Sequence, residues 1–451
     1  MDCKILTKIF AMRLESVLPH LIHSDQVGFI KGRSSSDNVR RLLHLIQLTR
    51  DESTPIAAFS LDAQKAFDRV EWGFLRHTLD VFGFGEGFMK WVNIIYSDPR
   101  ATVITNGLTS PFFSLTRGTK QGDPLSPLLF TLFLEPLATA IRTDIDIKGV
   151  SQGGEEHKLF MYADNILLLI KNPIVSIPNV LSIIESFSKL SGYKINWQKS
   201  EGMPISRGCN QSVISTFQCK VIPSGMKYLG IRLCSDLENI ISINIGPLIQ
   251  KIKTNLDKWK LINLTLWGKI NIIKMAVAPQ FNYISMMIPV TISDRIFKQY
   301  NRMITDFLWN GKKHRIALRK LCASKDIGEL ALPNMELYST AFEMNKLTNH
   351  WTDYGSSPSW VKIEKELAAP FNIVESLSQK KTDRQTEGEN LILQHSRWAW
   401  AKAHKTLGIS QYKQGYSSIW NNPSLCIGKK TCSWGTWLAK GIRVVNDLVL
   451  D

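Results

Sequence analysis

The sequence of 451 residues is long enough for two to three domains, and its 44% hydrophobic content excludes an intrinsically disordered chain. The net charge of +16 favours a polyanionic partner, with nucleic acid first among the candidates. Seven scattered cysteines, an odd number, exclude a disulfide framework and favour a reducing compartment. The sequence has neither a basic-then-apolar leader nor an uninterrupted apolar span. It therefore predicts an intracellular protein, cytoplasmic or nuclear, without signal peptide or transmembrane segment.

The first predicted element is an amphipathic helix. Ile5, Ile9, Met12 and Val17 recur at helical spacing, and Pro19 is expected to end the helix.

A basic loop rich in glycine and serine follows at residues 28–37. Asp37 is predicted to be the N-cap of a second helix with one apolar face. The loop carries Lys31 and Arg33, and Arg40 lies in the helix that follows. By themselves, these residues are explained as a polar connector with two glycines, and a functional role for the loop stays open at this point.

Two apolar stretches each carry a carboxylate at the end of a strand. Residues 56–61 form a short strand that ends at Asp62. Residues 159–170 have the pattern of a buried hairpin whose tight turn is predicted to be Asp164-Asn165. A lone Asp at a hairpin tip is also explained by ordinary turn chemistry. Because two strand ends can converge, the pair predicts a site for Mg²⁺, which takes oxygen ligands.

A long glycine-containing loop at residues 117–127 precedes an apolar helix and contains Gln121 and Gly122. Glycine lets a backbone approach a ligand closely, and a helix start supplies free N–H groups, so the loop favours ligand binding. Phe67 stands five residues beyond Asp62. By itself it is explained as a core residue in a strand-to-helix connection.

The second half of the sequence reads as mainly helical. A helix near residues 177–190 leads into a segment containing Lys199, for which a solvated surface lysine remains an open interpretation. Helical spacing resumes from residue 249. The basic run at residues 312–320 suits phosphate contacts and a solvated face equally well.

The strand ending at Asp62, the hairpin at residues 159–170 and the loop around Gln121 together resemble the reverse transcriptases of non-LTR (LINE-class) retrotransposons. The resemblance covers nearly the whole chain. It implies an α+β protein with the right-hand fold of that family: partial fingers, a palm with an antiparallel sheet and a helical thumb, then a mainly helical C-terminal region. The implied domains are fingers and palm in 1–235, thumb in 236–325, a connecting region in 326–374, a polar linker in 375–390 and a truncated C-terminal region in 391–451.

The resemblance also implies roles for individual residues. The implied catalytic residues are Asp62, Asp164, Lys199 and, at a degenerate position, Asn165; the implied metal ligands are Asp62, the Leu61 carbonyl and Asp164. The implied substrate-binding residues are Lys31, Arg33, Arg40, Phe67, Gln121 and Gly122. In the family, a loop like that at residues 28–37 lies beside the incoming nucleotide, so the three cations are the implied triphosphate ligands. The implied primer grip is Lys227, Tyr228, Leu229 and Gly230. The implied partners are an RNA template, a DNA primer, their hybrid and deoxynucleoside triphosphates, with two Mg²⁺ ions as cofactor and no membrane.

One departure from the family pattern bears on activity: the turn reads Asp-Asn where the family has Asp-Asp. Asn165 keeps the size and an acceptor oxygen but carries no charge, so weaker metal binding and a slower reaction are expected. The family also has an endonuclease domain and the start of the fingers upstream, which this sequence is expected to lack. Three interpretations follow: an RNA-directed DNA polymerase, a degenerate relic with low or no activity, and a nucleic-acid-binding protein without catalysis.

Overall fold

The computed structural model describes residues 2–215, 217–327, 329–350, 357–378, 389–410, 413–427, 430–431 and 435–448. The chain divides into two compact units. The first comprises the residues up to Asn38 together with Leu48–Ser235, and the second comprises Val39–Gln47 and the chain from Asp236 onward. The helix Ser35–Thr49 contributes to both units. Helices and sheet occur together throughout the first unit, which confirms the α+β class.

The first unit contains seven helices and thirteen strands among its described residues. The helices are α1 (Asp2–Leu21), α2 (Ser35–Thr49), α3 (Trp72–Val81), α4 (Glu86–Ile95), α5 (Ser126–Thr143), α6 (Pro173–Ser191) and α7 (Gln211–Ile214). The strands are β1 (Ile56–Leu61), β2 (Arg100–Ala101), β3 (Ile104–Thr105), β4 (Leu108–Thr109), β5 (Phe113–Ser114), β6 (Val150–Gln152), β7 (Glu155–His157), β8 (Leu159–Tyr162), β9 (Asn165–Lys171), β10 (Glu201–Pro204), β11 (Lys220–Val221), β12 (Lys227–Tyr228) and β13 (Ile231–Arg232). A 3₁₀ turn at Ala66–Arg69 follows β1.

Five strands form the central sheet of the first unit, in the order β11-β10-β1-β9-β8. The pairs are antiparallel, apart from the parallel pair of β10 and β11 at one edge. Successive side chains of a strand point to opposite faces, yet Leu167 and Leu168 of β9 are both 0% exposed. Both faces of the sheet are therefore covered, which is why the hairpin sequence is continuously apolar.

Helix α1 differs from the sequence prediction in its end and in its buried face. It continues through Pro19 to Leu21. Its buried apolar side chains are Ala11, Leu14 and Leu18. The predicted apolar stripe is between 45% and 60% exposed and consists of Ile5, Ile9, Met12 and Val17. The packing of α1 against α5, which spacing alone does not specify, decides which of the two stripes is covered.

Helix α2 begins one residue after Ser34, which replaces Asp37 as the N-cap. The Ser34 side chain accepts a hydrogen bond from the Ser36 N–H at 3.3 Å. The Asp37 carboxylate accepts one from the Ser34 N–H at 3.1 Å. Asp37 is thus the third helical residue of a capping box, in which both groups satisfy free N–H donors.

The described part of the second unit is mainly helical. Its helices are α8 (Ile240–Trp259), α9 (Leu266–Ile272), α10 (Ala278–Met287), α11 (Asp294–Trp309), α12 (Leu318–Leu321), α13 (Met335–His350), α14 (Ser359–Ala368), α15 (Ile373–Ser378), α16 (Leu391–Leu407) and α17 (Gly435–Ala439). Its strands β14 (Cys426–Ile427) and β15 (Lys430–Thr431) pair antiparallel. No helix in the described ranges combines the length and apolar composition needed to cross a bilayer.

Helices α8 to α11 share one apolar core. A π-helical turn at Ile273–Val277 joins α9 to α10 just before Pro279, whose missing N–H interrupts regular helical bonding. The buried ammonium group of Lys269 donates hydrogen bonds to the carbonyls of Phe307 and Leu308 at 3.0 and 3.2 Å. It therefore satisfies carbonyls that the end of α11 leaves free.

The predicted linker at residues 375–390 is corrected where the structure describes it. Residues 375–378 are the end of α15, and Glu375 is only 4% exposed. The Glu375 carboxylate accepts hydrogen bonds from the backbone and side-chain N–H groups of Asn372. The polar composition of this segment suggested a linker, but these polar side chains instead provide hydrogen bonds at the start of α15. Residues 379–388 lie outside the described residues, and the finer division of the chain after residue 235 stays a prediction.

A buried ionic network joins α2 to three other helices of the second unit. The Arg40 guanidinium donates to Glu364 Oε1 at 2.6 Å, to both Glu343 oxygens at 2.8 Å and to Ser396 Oγ at 2.9 Å. It also lies 4.5 Å from the centroid of the Trp360 ring. Burial opposes ionisation of Glu343, but Arg40 outweighs it and holds the pKa of that carboxyl at about 2. The network is therefore charged at neutral pH.

We expect Arg40→Met to destabilise the second unit by about 3–5 kcal/mol, because it leaves two buried carboxylates without their cation. Urea unfolding at neutral pH measures this loss. The control is Arg100→Met, which removes an exposed partner of Asp98 and should cost less than about 1 kcal/mol. Similar losses for the two variants would contradict the account.

Candidate active site

Asp62 stands at the end of β1, where its backbone is bonded on both sides. Its N–H donates to Ser200 Oγ at 3.1 Å, and its carbonyl accepts from the Asn196 N–H at 2.7 Å. The N–H of Gln64 donates to the Lys194 carbonyl at 2.8 Å. These hydrogen bonds hold the backbone around Asp62 against residues 194–200. The backbone position from which the Asp62 side chain projects is therefore fixed by the fold.

The hairpin at residues 159–170 is present, but its turn lies one residue earlier than predicted. Tyr162 pairs with Asn165, so the two turn residues are Ala163 and Asp164. Asn165 is the first residue of β9 and is exposed. Ala163 has φ of 53°, a left-handed conformation that a residue with a Cβ atom adopts only at an energetic cost.

Gln26 and Gly28 explain how Ala163 keeps this conformation. The Gln26 side chain accepts from the Ala163 N–H at 3.0 Å and donates to the Ala163 carbonyl at 3.2 Å. Gly28 packs directly on the turn, since a Cβ atom there would lie 2.3 Å from the Ala163 nitrogen. Sequence reasoning missed both residues as supports of the turn. The available signal was a glycine at the start of the loop at residues 28–37.

The register of the sheet brings the two aspartates together. Leu61 pairs with Ile166, so Asp62 comes level with Asn165 and Asp164 follows one position further along the hairpin. Burial raises the pKa of Asp164, the negative charge of Asp62 raises it further, and a backbone hydrogen bond opposes both effects. The charge of Asp62 therefore acts on the Asp164 carboxyl at the end of the neighbouring strand.

The donor set at this site suits a hard divalent cation. No three His, Cys, Asp or Glu side chains in the described ranges form a metal-binding group, so Asp62 and Asp164 are a pair. Mg²⁺ is commonly bound by one or two carboxylates and completes its shell with waters and substrate phosphates. Asp62 and Asp164, two carboxylates at neighbouring strand ends, fit that requirement.

The loop carrying Gln121 and Gly122 packs on the 3₁₀ turn that follows β1. Gln121 is exposed, and its side chain donates to Asp68 Oδ1 at 3.1 Å. Gly122 has φ of 81° and open space around it, so its backbone conformation explains the glycine. A Cβ atom at Gly118, in contrast, would lie 3.1 Å from the Asp68 carbonyl oxygen. The loop is held in place while its tip stays open to solvent.

Phe67 is half-buried on the same 3₁₀ turn. Its ring stacks on Phe130 with centroids 4.5 Å apart. Its carbonyl accepts a hydrogen bond from the Thr119 N–H at 2.8 Å, which links it to the loop of Gln121. The partly exposed ring is compatible with packing in the core and with contact to a ligand.

Of the two loop cations, the structure leaves Lys31 exposed but gives Arg33 another role. The terminal nitrogens of Arg33 donate to the carbonyls of Pro19, Ile22, His23 and Gln26. Arg33 therefore binds the carbonyls at and beyond the end of α1, and this corrects its expected role as a triphosphate ligand.

Arg40 requires the same correction. It is 0% exposed and is enclosed within the second unit by Glu343, Glu364 and Trp360. These carboxylates neutralise the charge of Arg40, so its side chain is not available to bind a phosphate.

Lys199 is exposed, and its backbone N–H closes a turn by donating to the Asn196 carbonyl at 3.1 Å. It therefore shares this turn with the residue that binds the Asp62 carbonyl. Sequence spacing gave no indication of that link.

The predicted primer-grip residues form a second hairpin. Lys227 pairs with Arg232, and Leu229 and Gly230 make a two-residue turn with φ of 44° and 76°. Lys227 is exposed, but Tyr228 is 2% exposed. The Tyr228 hydroxyl donates to the Phe160 carbonyl at 3.3 Å, so this residue anchors the hairpin on β8.

Comparison with known proteins agrees with this architecture. Residues 1–233 match the family described as reverse transcriptase (RNA-dependent DNA polymerase). The chain is 31% identical over 325 residues to the Transposon TX1 uncharacterized 149 kDa protein of Xenopus laevis, covering 69% of this chain and 24% of that protein. It is 30% identical over 204 residues to a Retrovirus-related Pol polyprotein from type-1 retrotransposable element R2 of Popillia japonica, covering 45% of this chain and 28% of that one. The chain thus spans about a quarter of the length of these relatives.

A solved structure of telomerase from Candida albicans aligns with 88% of this chain and 58% of its own, with a TM-score of 0.39 and 12% identity, which is too weak to support a conclusion. The family match alone covers residues 1–233 of the 451. The chain therefore belongs to the reverse transcriptase (RNA-dependent DNA polymerase) family, and its relatives identify it as a reverse transcriptase domain of the non-LTR retrotransposon type.

Proposed function

We propose that the chain catalyses RNA-templated DNA synthesis, at a rate that Asn165 reduces. The observation that carries the proposal is the pairing of β1 with β9, which holds Asp62 and Asp164 at neighbouring strand ends. The effect of the Asp62 charge on the pKa of Asp164 supports a shared cation. Family membership supports the reaction class, and the arrangement of these two residues supports where it occurs.

Asp62 and Asp164 would hold Mg²⁺, with the Leu61 carbonyl as a further oxygen donor. Two bound ions would activate the primer 3′-hydroxyl and neutralise charge on the leaving pyrophosphate. Asn165, level with Asp62, offers an amide oxygen but no charge to this site.

Other residues of the first unit would position the substrates. Gln121 and Gly122, on an exposed loop tip, would contact the incoming deoxynucleoside triphosphate and template base. Phe67 would pack under the nucleotide sugar. Lys31 and Lys199 are exposed cations for the triphosphate and its leaving group. Lys227 and the turn after it would contact the primer end.

A basic groove in the second unit supports a nucleic-acid partner. It encloses about 490 Å³ and is lined by α11 and the loop after it. Its charged lining residues are Lys298, Arg302, Asp306, Lys312, Lys313 and, when protonated, His314. Phosphate contacts supply most of the sequence-independent affinity for a duplex. We therefore propose this groove, which we call the α11 groove, as a contact for the RNA–DNA hybrid.

The first test is Asn165→Asp, assayed by primer extension on poly(rA)/oligo(dT) with Mg²⁺. The substitution restores one negative charge and changes almost no volume. We expect a gain on the order of a hundredfold, about 2.7 kcal/mol of transition-state stabilisation.

Asp62→Asn in the Asn165→Asp background is the matched control and should abolish the gain. Full activity in the unmodified chain would refute the charge argument. Hybrid binding without extension in either chain would favour a nucleic-acid-binding protein that lacks catalysis.

The second test measures how the affinity for the hybrid depends on salt between about 50 and 200 mM. We expect the double variant Arg302→Ala, Lys313→Ala to bind more weakly. The slope of log affinity against log salt should fall by about 2, because each phosphate contact contributes about 0.9.

The control double variant is Lys189→Ala, Arg207→Ala. These exposed cations already pair with Glu185 and Asp51, at 2.8 and 3.0 Å. A slope reduced equally by both double variants would contradict the assignment of the α11 groove.

The third test concerns Asp164 in metal-free buffer. Its raised pKa means that its stabilising contribution is present below its ordinary pKa and lost as the pH rises through the raised value. At neutral pH, Asp164→Asn should therefore raise Tm by about 1–3 °C, in line with a gain below about 1 kcal/mol.

The control variant, Asp447→Asn, should lower Tm at neutral pH. Backbone hydrogen bonds from Val444 and Arg443 lower the pKa of Asp447, so its ionised form stabilises the fold. Equal shifts in Tm, measured by differential scanning calorimetry, would contradict this interpretation of Asp164.

A further inference from the structure

Tyr193 is a fully buried aromatic residue immediately after α6. It is 1% exposed, and its ring packs edge-to-face on Phe187 with centroids 5.7 Å apart. Gly192, which precedes it, ends α6 with φ of 77°, and a Cβ atom there would lie 2.6 Å from the Arg69 carbonyl oxygen. Close packing therefore fixes the chain on the N-terminal side of Tyr193.

The chain after Tyr193 is bonded to the segment that carries Asp62. The backbone carbonyl of the next residue, Lys194, accepts a hydrogen bond from the Gln64 N–H at 2.8 Å. The backbone N–H of Asn196 donates to the Asp62 carbonyl at 2.7 Å. Ala63 and Ile195 form an antiparallel bridge between these bonds. Tyr193 is thus held beside the end of β1 by the same contacts that fix Asp62.

The Tyr193 hydroxyl has no hydrogen-bond partner among the described residues. Tyr228 shows the usual arrangement: it is similarly buried, at 2% exposed, and donates to the Phe160 carbonyl at 3.3 Å. An unpaired buried hydroxyl costs free energy, because it gives up its hydrogen bonds to water. Such a group needs an explanation, and the charges around it supply one.

The charges that act on the Tyr193 hydroxyl are those of the two aspartates. Burial raises the pKa of Tyr193, and the charges of Asp164 and then Asp62 raise it further. A tyrosine hydroxyl is a hydrogen-bond donor, and this one has no partner among the described residues to which it already donates. An ionised carboxylate is an acceptor only, so donor and acceptors are complementary.

We propose that Tyr193 is a positioning residue of the metal site, whose hydroxyl donates a hydrogen bond to the Asp164 carboxylate when that carboxylate binds a divalent cation. The inference rests on the proposed function, since it takes Asp62 and Asp164 as the metal ligands. Groups that bond to metal ligands orient them and contribute to metal affinity without touching the metal. Asp164 follows a residue at positive φ on a tight turn, so a bond to its side chain would hold the carboxylate towards Asp62.

The test is Tyr193→Phe, with Mn²⁺ alone as the probe because Mn²⁺ prefers the same oxygen ligands as Mg²⁺. Free Mn²⁺ is followed by electron paramagnetic resonance, and the difference from Asp62→Asn isolates this site. We expect the half-saturating Mn²⁺ concentration to rise about tenfold. In EDTA, Tm should be unchanged or higher, because Phe keeps the ring and removes an unpaired hydroxyl.

Tyr300→Phe is the matched control. Tyr300 is also 1% exposed, and its hydroxyl likewise lacks a hydrogen-bond partner in the described ranges, but it lies in the core of the second unit. In EDTA, Tyr300→Phe should also leave Tm unchanged or raise it, and it should leave Mn²⁺ binding unchanged.

Identical titrations for the unmodified chain and Tyr193→Phe would overturn the inference, and so would a large loss of Tm in EDTA for Tyr193→Phe alone. The absence of any Asp62-dependent Mn²⁺ binding would overturn both this inference and the metal site of the proposed function. Weakened Mn²⁺ binding in Tyr193→Phe, together with no primer extension even in the Asn165→Asp background, would support the role of Tyr193 and refute the proposed polymerase activity.

Discussion

The pairing of β1 with β9 and β10 is the constraint on which the candidate site depends. A slip of one residue would turn every side chain of β1 to the opposite face and move Asp62 away from the hairpin. Between β1 and β10, Phe59 lies opposite Gly202, and a Cβ atom at Gly202 would lie 3.1 Å from Phe59 Cδ1. The glycine leaves room for the buried Phe59 ring and so favours this register of β1 on β10, while the pairing of β1 with β9 places Asp62 beside the hairpin.

Sequence reasoning predicted the two strands and their acids, because apolar runs that end in a single carboxylate are a local signal. It placed the turn one residue late, since Ala163-Asp164 and Asp164-Asn165 both fit between the same apolar runs. The choice is made by tertiary contacts: Gln26 bonds both backbone groups of Ala163, and Gly28 leaves room for the turn. Those contacts cross more than a hundred residues of sequence, so no local pattern could reveal them.

The roles of the two arginines could not be predicted from local sequence either. Sequence gives the charge of Arg33 and Arg40 but not what neutralises it. The acids that enclose Arg40, Glu343 and Glu364, lie more than three hundred residues further along the chain. Similarly, helical spacing identified α1, but an amphipathic pattern with two apolar stripes did not show which stripe would be covered. Exposure, which separates a ligand-binding cation from a structural one, is a property of the packed chain.

Asn165 changes the electrostatic balance of the site in two directions. Asp62 already raises the pKa of Asp164, so a third carboxylate at the start of β9 would increase the repulsion in the absence of metal. Asparagine avoids that repulsion and should favour the metal-free fold, but it also removes charge that would attract a divalent cation and stabilise the transition state. Asparagine at this position is therefore neutral or favourable for folding, and under the proposed function it would be unfavourable for catalysis. With Asn165, the central sheet, the hydrogen bonds between Gln26 and Ala163 and the buried core can all stay intact, because none of those contacts depends on a charge at this position.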